Sequence, residues 1–196
     1  MIRALRLFLA CCLTVGASAC SSAGAVVHMK PVASVNTAPA PSEAMVVFLR
    51  PSGWGEMTQS SVFDVTTAGP AELVGIVAAK MKVAYRTTPG RHVFMVVGEN
   101  ADFVDAMLAP GKLYHVVLVP GPGYKARFVA KPVHPGDRTD LPGWLAATSW
   151  VETTQDSFLW ARENARSIEA KRARYWREWT ERAPSERVAL GPDDGQ

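Results

Sequence analysis

Cysteine is scarce and confined: all three of its cysteines, Cys11, Cys12 and Cys20, lie within the first twenty residues of the 196. The remainder has no thiol, which excludes a disulfide framework, a thiol nucleophile and a thiolate metal site from the body of the chain. Its fold must rest on an apolar core. An excess of charge of one sign is also missing. Without Arg3 and Arg6 the 21 basic residues fall to 19 against 18 acidic ones. So even a balance argues against nucleic acid as the main partner. Beyond the first twenty residues no apolar run approaches the ~18 residues needed to span a bilayer.

What is present begins with the leader. Arg3 and Arg6 precede an apolar stretch from Leu7 to Val15, followed by small residues up to Cys20. This is the charged, apolar and small-residue order of a secretory signal. The ending Ala17-Ser18-Ala19-Cys20 resembles the lipobox of bacterial lipoproteins, although Ala17 stands where Leu is usual. The resemblance implies lipidation of Cys20 and a membrane anchor; plain cleavage after Ala19 would instead give a soluble secreted protein. Ser21 after the cysteine resembles the pattern that sends lipoproteins to the outer membrane. The expected organisation is a signal peptide at 1–19, the lipidated cysteine and a flexible tether at 20–43, a β domain at 44–133, and a linker with a helix and tail at 134–196. About 23 tether residues, if flexible, have an r.m.s. reach near 26 Å.

From Ala44 the texture changes to short apolar runs punctuated by Gly and Pro. Ala44–Leu49, Val62–Thr66, Leu73–Val77, Met81–Tyr85, His92–Val97, Leu113–Val119 and Tyr124–Val133 read as strands, with turns such as Pro89-Gly90 and Pro110-Gly111 about every ten residues. Glu99–Leu108 suits a strand or loop. The expected fold class is mainly β, an antiparallel Ig-like β-sandwich with a C-terminal amphipathic helix. The helix spans Gln155 to Arg182 with Asp156 as its N-cap. Phe158, Ala161, Ala165, Ile168, Arg172, Tyr175 and Trp179 form one stripe along it. Arg172 interrupts the stripe and weakens its middle. The stripe packs on the sandwich, with its second half less firmly committed; the alternative is that Trp160, Tyr175, Trp176 and Trp179 dock a partner.

Three pieces of the body, Ala44-Met45-Val46-Val47-Phe48-Leu49-Arg50-Pro51-Ser52, Pro89-Gly90-Arg91-His92 and Leu108-Ala109-Pro110-Gly111-Lys112-Leu113-Tyr114-His115-Val116, resemble DUF2846-like sandwich domains of small bacterial lipoproteins. The Pro-Gly-x-His piece also occurs in PEGA-type sandwiches. The likeness covers about residues 44 to 133. It departs in the middle hairpin, where Ala68-Gly69-Pro70 and Gly75 stand in place of an Asp-Gly turn. The resemblance implies an envelope lipoprotein with no catalytic residues to carry over.

Candidate chemistry is sparse. His92 and His115 sit in strands, while His28 and His134 lie in the tether and linker. None forms a His-x-x-x-His or His-Glu pair, so no metal site is expected. Glu99, Asn100, Asp102 and Asp105 lack the order of a calcium loop and read as a solvated acidic loop. Gly121-Pro122-Gly123 is a turn between strands rather than a phosphate cradle. Ser52, Ser60 and Ser61 have no nucleophile motif. The expectation is a non-enzymatic envelope module without cofactor, facing the periplasm, with the membrane and an envelope protein or wall component as partners. Its alternative is an accessory subunit of an envelope assembly docking through the helix. A Cys20→Ser chain should lose its label when cells are fed a tagged fatty acid and leave the membrane fraction or stay unprocessed; label retained on that variant would end the lipoprotein reading.

Overall fold

The computed structural model describes residues 28–121 and 126–196. Cys20, its leader and the centre of the Gly121-Pro122-Gly123 turn lie outside the described residues. The protein is mainly β, with two facing sheets. One has the order β1 (Met29–Val32), β10 (Ser149–Thr153), β5 (Met81–Thr87), β2 (Ala44–Arg50), β8 (Leu113–Pro120) and β9 (Phe128–Pro132). The other has β11 (Ala189–Leu190), β7 (Ala101–Leu108), β6 (Gly90–Val97), β3 (Ser60–Asp64) and β4 (Glu72–Val77).

β2 explains the arrangement. All seven of its residues are buried, because both of its faces are covered. Ala44, Val46 and Phe48 point between the sheets, where Phe48 meets Phe94 of β6 edge-on at 5.2 Å. Val47 and Leu49 point the other way, into a second cluster with Val117, Val133 and Leu141. A short helix, α1 (Leu141–Ala146), contributes Leu141, Trp144 and Leu145 to that outer layer. A strand covered on both faces reads as a continuous apolar run.

The expectation of an antiparallel Ig-like sandwich is corrected. The sheets are mixed: β2 pairs parallel with β8, β5 with β10, and β7 with β11. The chain hops between sheets after β2, β4, β5, β7 and β10. Each hop can return a strand in the same direction as its new neighbour, which local turn chemistry does not specify.

The tether reading is also amended. Residues 29–32 form an edge strand whose Met29 lies opposite Thr153 and whose Pro31 lies opposite Val151. An edge tolerates the missing amide of Pro31. Met29 is 6% exposed and belongs to the core. Glu99–Leu108 contains the strand β7. Asn100 and Asp102 are not a solvated loop: the Asn100 amide exchanges bonds of 2.8 and 2.9 Å with the backbone of Phe128, and Asp102 accepts from the Ala130 amide at 2.9 Å. They stitch one sheet to the edge of the other. Burial raises the Asp102 carboxyl above its ordinary range, although the Ala130 and Phe103 amides favour its anion. At Gly98 an added Cβ would stand 2.2 Å from the Ala126 carbonyl, so this corner admits only glycine. Gly111, in the turn between β7 and β8, has φ +71°.

The single helix expected over 155–182 is two, α2 (Gln155–Glu163) and α3 (Ala165–Thr180), separated at Asn164. The N-cap is Thr154 rather than Asp156. Its hydroxyl accepts from the Ser157 amide, and the Ser157 hydroxyl answers to the Thr154 amide. The break shifts the buried face. Ser157, Ile168 and Trp179 are buried, whereas Phe158, placed in the stripe, is 47% exposed. The second half is therefore firmly packed: Trp179 meets Phe103 of β7 at 5.5 Å and Trp176 meets it at 5.3 Å. Arg172 strengthens the contact it was expected to weaken, donating to the carbonyls of Val65, Thr67 and Gly69 in the β3–β4 connection. In urea unfolding Ile168→Ala and Trp179→Ala should each cost about 2–5 kcal/mol, while Phe158→Ala should stay within about 0.5 kcal/mol. Equal costs at all three positions would mean that α2 and α3 pack differently.

Candidate functional site

Four cations and two histidines are drawn into the fold, and each must be accounted for before a site can be assigned. Arg50 ends β2 with no exposed surface. Its guanidinium donates to the carbonyls of Thr58, Trp54 and Gly55 at 2.6 to 2.7 Å and lies over Phe128 at 5.0 Å. It therefore shapes the loop 51–59, and its burial lowers its pKa. The Ser52 hydroxyl accepts from the Trp54 amide in the same loop. Lys82 donates to the Leu145 and Thr148 carbonyls behind α1 and sits 4.7 Å above Trp150. These cations, with Arg172, have structural duties.

His92 is the best-formed titratable centre. Its Nδ1 lies 2.8 Å from Asp64 Oδ2 and its Nε2 lies 2.9 Å from the Thr88 carbonyl. Both partners only accept, which favours the doubly protonated ring, and the Thr66 and Thr87 hydroxyls stand 3.4 Å from Nδ1 and Nε2. The hydrogen bond to Asp64 is the main reason the imidazole pKa is raised, burial opposing it and the Thr88 carbonyl adding to it. Burial pushes the Asp64 carboxyl up, but bonds from His92 and Thr66 outweigh it and leave the carboxyl lowered. Burial, then the Asp64 charge, raises the Tyr85 hydroxyl, which reaches Asp64 at 3.5 Å. An imidazolium with both N–H groups engaged offers no lone pair to a substrate. His115, in the other sheet, is the opposite case: burial, aided by Arg138, lowers it to about 4 and keeps it neutral. His134 is half exposed and bonds Asp194 at 2.9 Å. Asp105 pairs with Arg91 at 2.9 and 3.0 Å. Among the described residues no three His, Cys, Asp or Glu side chains gather in a metal-binding group.

The arrangement best suited to a ligand lies where α2 and α3 cross the ends of β3, β4 and β6. A cavity of about 420 Å³ opens there, lined by Trp160, Asn164, Ser167, Ile168 and Lys171 from the helices, by Ser60, Ser61, Ile76, Val97 and Gly98 from the sheet side, and by His28, Met57, Gln59, Glu99 and Ala126 from the segments around it. The α2–α3 break creates it. Asn164 donates through its side chain to the Trp160 carbonyl at 2.8 Å, ending α2 and turning α3 across the sheet. Lys171 reaches over to the Gly98 carbonyl. The His28 ring lies 6.2 Å from Trp160. Ser60 donates to the Val77 carbonyl at 3.2 Å, and Ser61, 5% exposed, also lines the cavity. Trp160 supplies an aromatic face, the amides and hydroxyls supply neutral hydrogen bonds, and Lys171 and Glu99 supply one charge of each sign.

Of the four aromatic residues proposed for docking, Trp160 borders this cavity. Trp176 borders a second hollow with Thr66 and Arg172; Tyr175 is half-buried under Arg174 at 5.2 Å; Trp179 is 3% exposed and belongs to the core. Sequence reading missed Asn164, Ser167, Lys171, Arg50 and the Asp64–His92 pair. Asn164 alone left a trace, as a poor helix former inside a helical run. No protein-family model matches the chain, and no curated protein matches it at a significant level.

The two buried histidines impose opposite pH dependences. The raised His92 value stabilises the fold fully below the ordinary imidazole value of 6.5 and loses that contribution as pH rises through the folded value. The depressed His115 value does the reverse: its contribution is complete above 6.5 and is lost as pH falls toward about 4. Asp64 adds stability above its ordinary value of 3.8 that disappears as pH falls through its lowered one. In melting curves from pH 4.5 to 9, His115→Gln should gain relative to the native chain at the acid end, and His92→Gln should compare best at the alkaline end. Parallel curves for both variants would refute the assignment.

Proposed function

We propose that this chain is a non-enzymatic binding module, held by lipid at Cys20 on the periplasmic side of a bacterial envelope membrane, the outer membrane by the Ser21 signal. One observation carries this reading: Cys20 stands eight residues before His28, and His28 lines the cavity of about 420 Å³. The ligand space therefore lies beside the point where the anchored segment joins the fold. Its lining suits a polyhydroxylated ligand with one flat apolar face, which would stack on Trp160 and bond Gln59, Asn164 and Ser167. Cell-wall glycan has that chemistry. Binding rather than turnover is favoured because Ser60 donates to a strand carbonyl and the buried imidazolium of His92 lies in a different hollow, among Thr66, Thr87 and Arg91. A serine without a partnered base is a poor nucleophile. The resemblance of residues 44–133 to DUF2846-like lipoprotein domains points the same way. Docking through the helical aromatics is less favoured, since Trp179 and much of Trp176 are occupied with Phe103.

Titration of the isotope-labelled mature protein with soluble cell-wall disaccharide-peptides should shift the Trp160 indole and Asn164 amide resonances. Trp160→Ala should weaken the interaction about tenfold or more, ~1.4 kcal/mol, without changing the melting temperature by more than a few degrees. Absence of any shift across envelope glycans, or chemical conversion of the added compound, would overturn the reading.

A further inference from the structure

The distance available between anchor and domain is shorter than the composition of residues 20–43 suggests. β1 locks Met29–Val32 against β10, and the His28 carbonyl is held by the hydroxyls of Thr154 and Ser157 at the start of α2. Only eight peptide steps separate Cys20 from His28. Whatever their conformation, they reach at most about 28 Å. The His28 end of the molecule is thus confined to the neighbourhood of the layer that holds the lipid.

That end also carries most of the unexplained apolar surface. Of the seven large hydrophobic side chains strongly exposed among the described residues, four belong to the two segments around His28: Trp54 and Met57 in the loop 51–59, Phe158 and Leu159 in α2. Met57 is 93% exposed and borders the same cavity as His28; α2 starts on the His28 carbonyl. The loop is not free to fold its apolar residues inward, because Arg50 holds the carbonyls of Trp54, Gly55 and Thr58. Charge here is mixed: Lys30 and Arg162 stand with Glu56, Glu152 and Asp156, all exposed. Attraction to anionic headgroups therefore cannot be the main force. What remains is burial of apolar side chains at the boundary of headgroups and acyl chains, where Trp is favoured.

We propose that the face formed by the loop 51–59 and the first turns of α2 lies on the membrane that anchors the chain, its occupant being the lipid surface itself. The cavity lined by His28, Met57 and Trp160 then lies close to the membrane interface. This rests on lipidation of Cys20.

The test uses the full lipidated chain in proteoliposomes of phosphatidylethanolamine and phosphatidylglycerol. The body has no cysteine, so Met57→Cys, Phe158→Cys and the control Met107→Cys each place one fluorescent probe. Met107 lies six residues along β7 from Ala101, about 20 Å from the cavity end. Probes at 57 and 158 should be quenched by shallow spin-labelled lipid at least threefold more than the probe at 107, with little change between low and high salt. Equal quenching at all three positions, or quenching abolished by salt, would overturn the membrane-facing surface. Mass analysis of the mature N-terminus in the same sample separates the causes. An acylated Cys20 with no differential quenching defeats this inference alone; an unacylated Cys20 defeats the anchor reading and the inference with it.

Discussion

The fold depends on β2 being buried from both sides. A strand with Val46 and Phe48 in one core and Val47 and Leu49 in another needs a layer over each face. The second sheet supplies one. The other is provided by α1 and the segment around Val133. Holding α1 there has a consequence: its carbonyl end would be left over an apolar layer. Lys82, next to Val83 on β5, brings its ammonium to the Leu145 and Thr148 carbonyls and solves that problem from within the sheet.

This solution recurs. Arg50 serves the 51–59 loop, Arg172 the β3–β4 connection, and Lys171 the Gly98 corner, each through backbone carbonyls rather than through a buried carboxylate. A lone buried charge is costly, and several carbonyl dipoles are what make it tolerable. The device suits a stretch, residues 21–196, that contains no cysteine, because each cation ties an irregular segment to a regular element. It also explains why so few loops contribute chemistry: their polar backbone is already committed. The cavity at the α2–α3 break is different, since Gln59 and Ser167 line it beside the already bonded side chains of Ser60 and Asn164.

The strands were legible because Pro-Gly turns and short apolar runs are local signals, and β2, β6 and β8 stand where those runs stand. β1 was not. Met29-Lys30-Pro31-Val32 has no alternation and contains a proline, and its partner Thr153 is more than a hundred residues away. The parallel pairs were hidden for a related reason: direction depends on which sheet the intervening strands join. The helical stripe was legible as periodicity but misplaced in register, because one residue, Asn164, resets the phase and turns Phe158 outward. The roles of Arg50 and Arg172 could not be read at all. A charge beside an apolar run looks like an interruption until the carbonyls that receive it are brought alongside by the rest of the chain.

The same limitation bears on the site. Composition made residues 20–43 look like one long spacer, which would leave the domain free to orient and would give no reason to distinguish its faces. A strand beginning at Met29 shortens that spacer. Once the spacer is shortened to eight residues, the exposed Trp54, Met57, Phe158 and Leu159 cease to be scattered surface hydrophobics, which ordinarily need no explanation. With the proposed anchor at Cys20, they belong to segments close to the end that the anchor would constrain. Such an orientation would restrict ligands: a cavity held close to the interface is reached most easily by a molecule presented at the membrane surface or by a polymer strand lying along it. Bulk solutes have the narrower path. The edge strand β1, read only as linker in the sequence, is what would couple the proposed anchor to the geometry of the cavity.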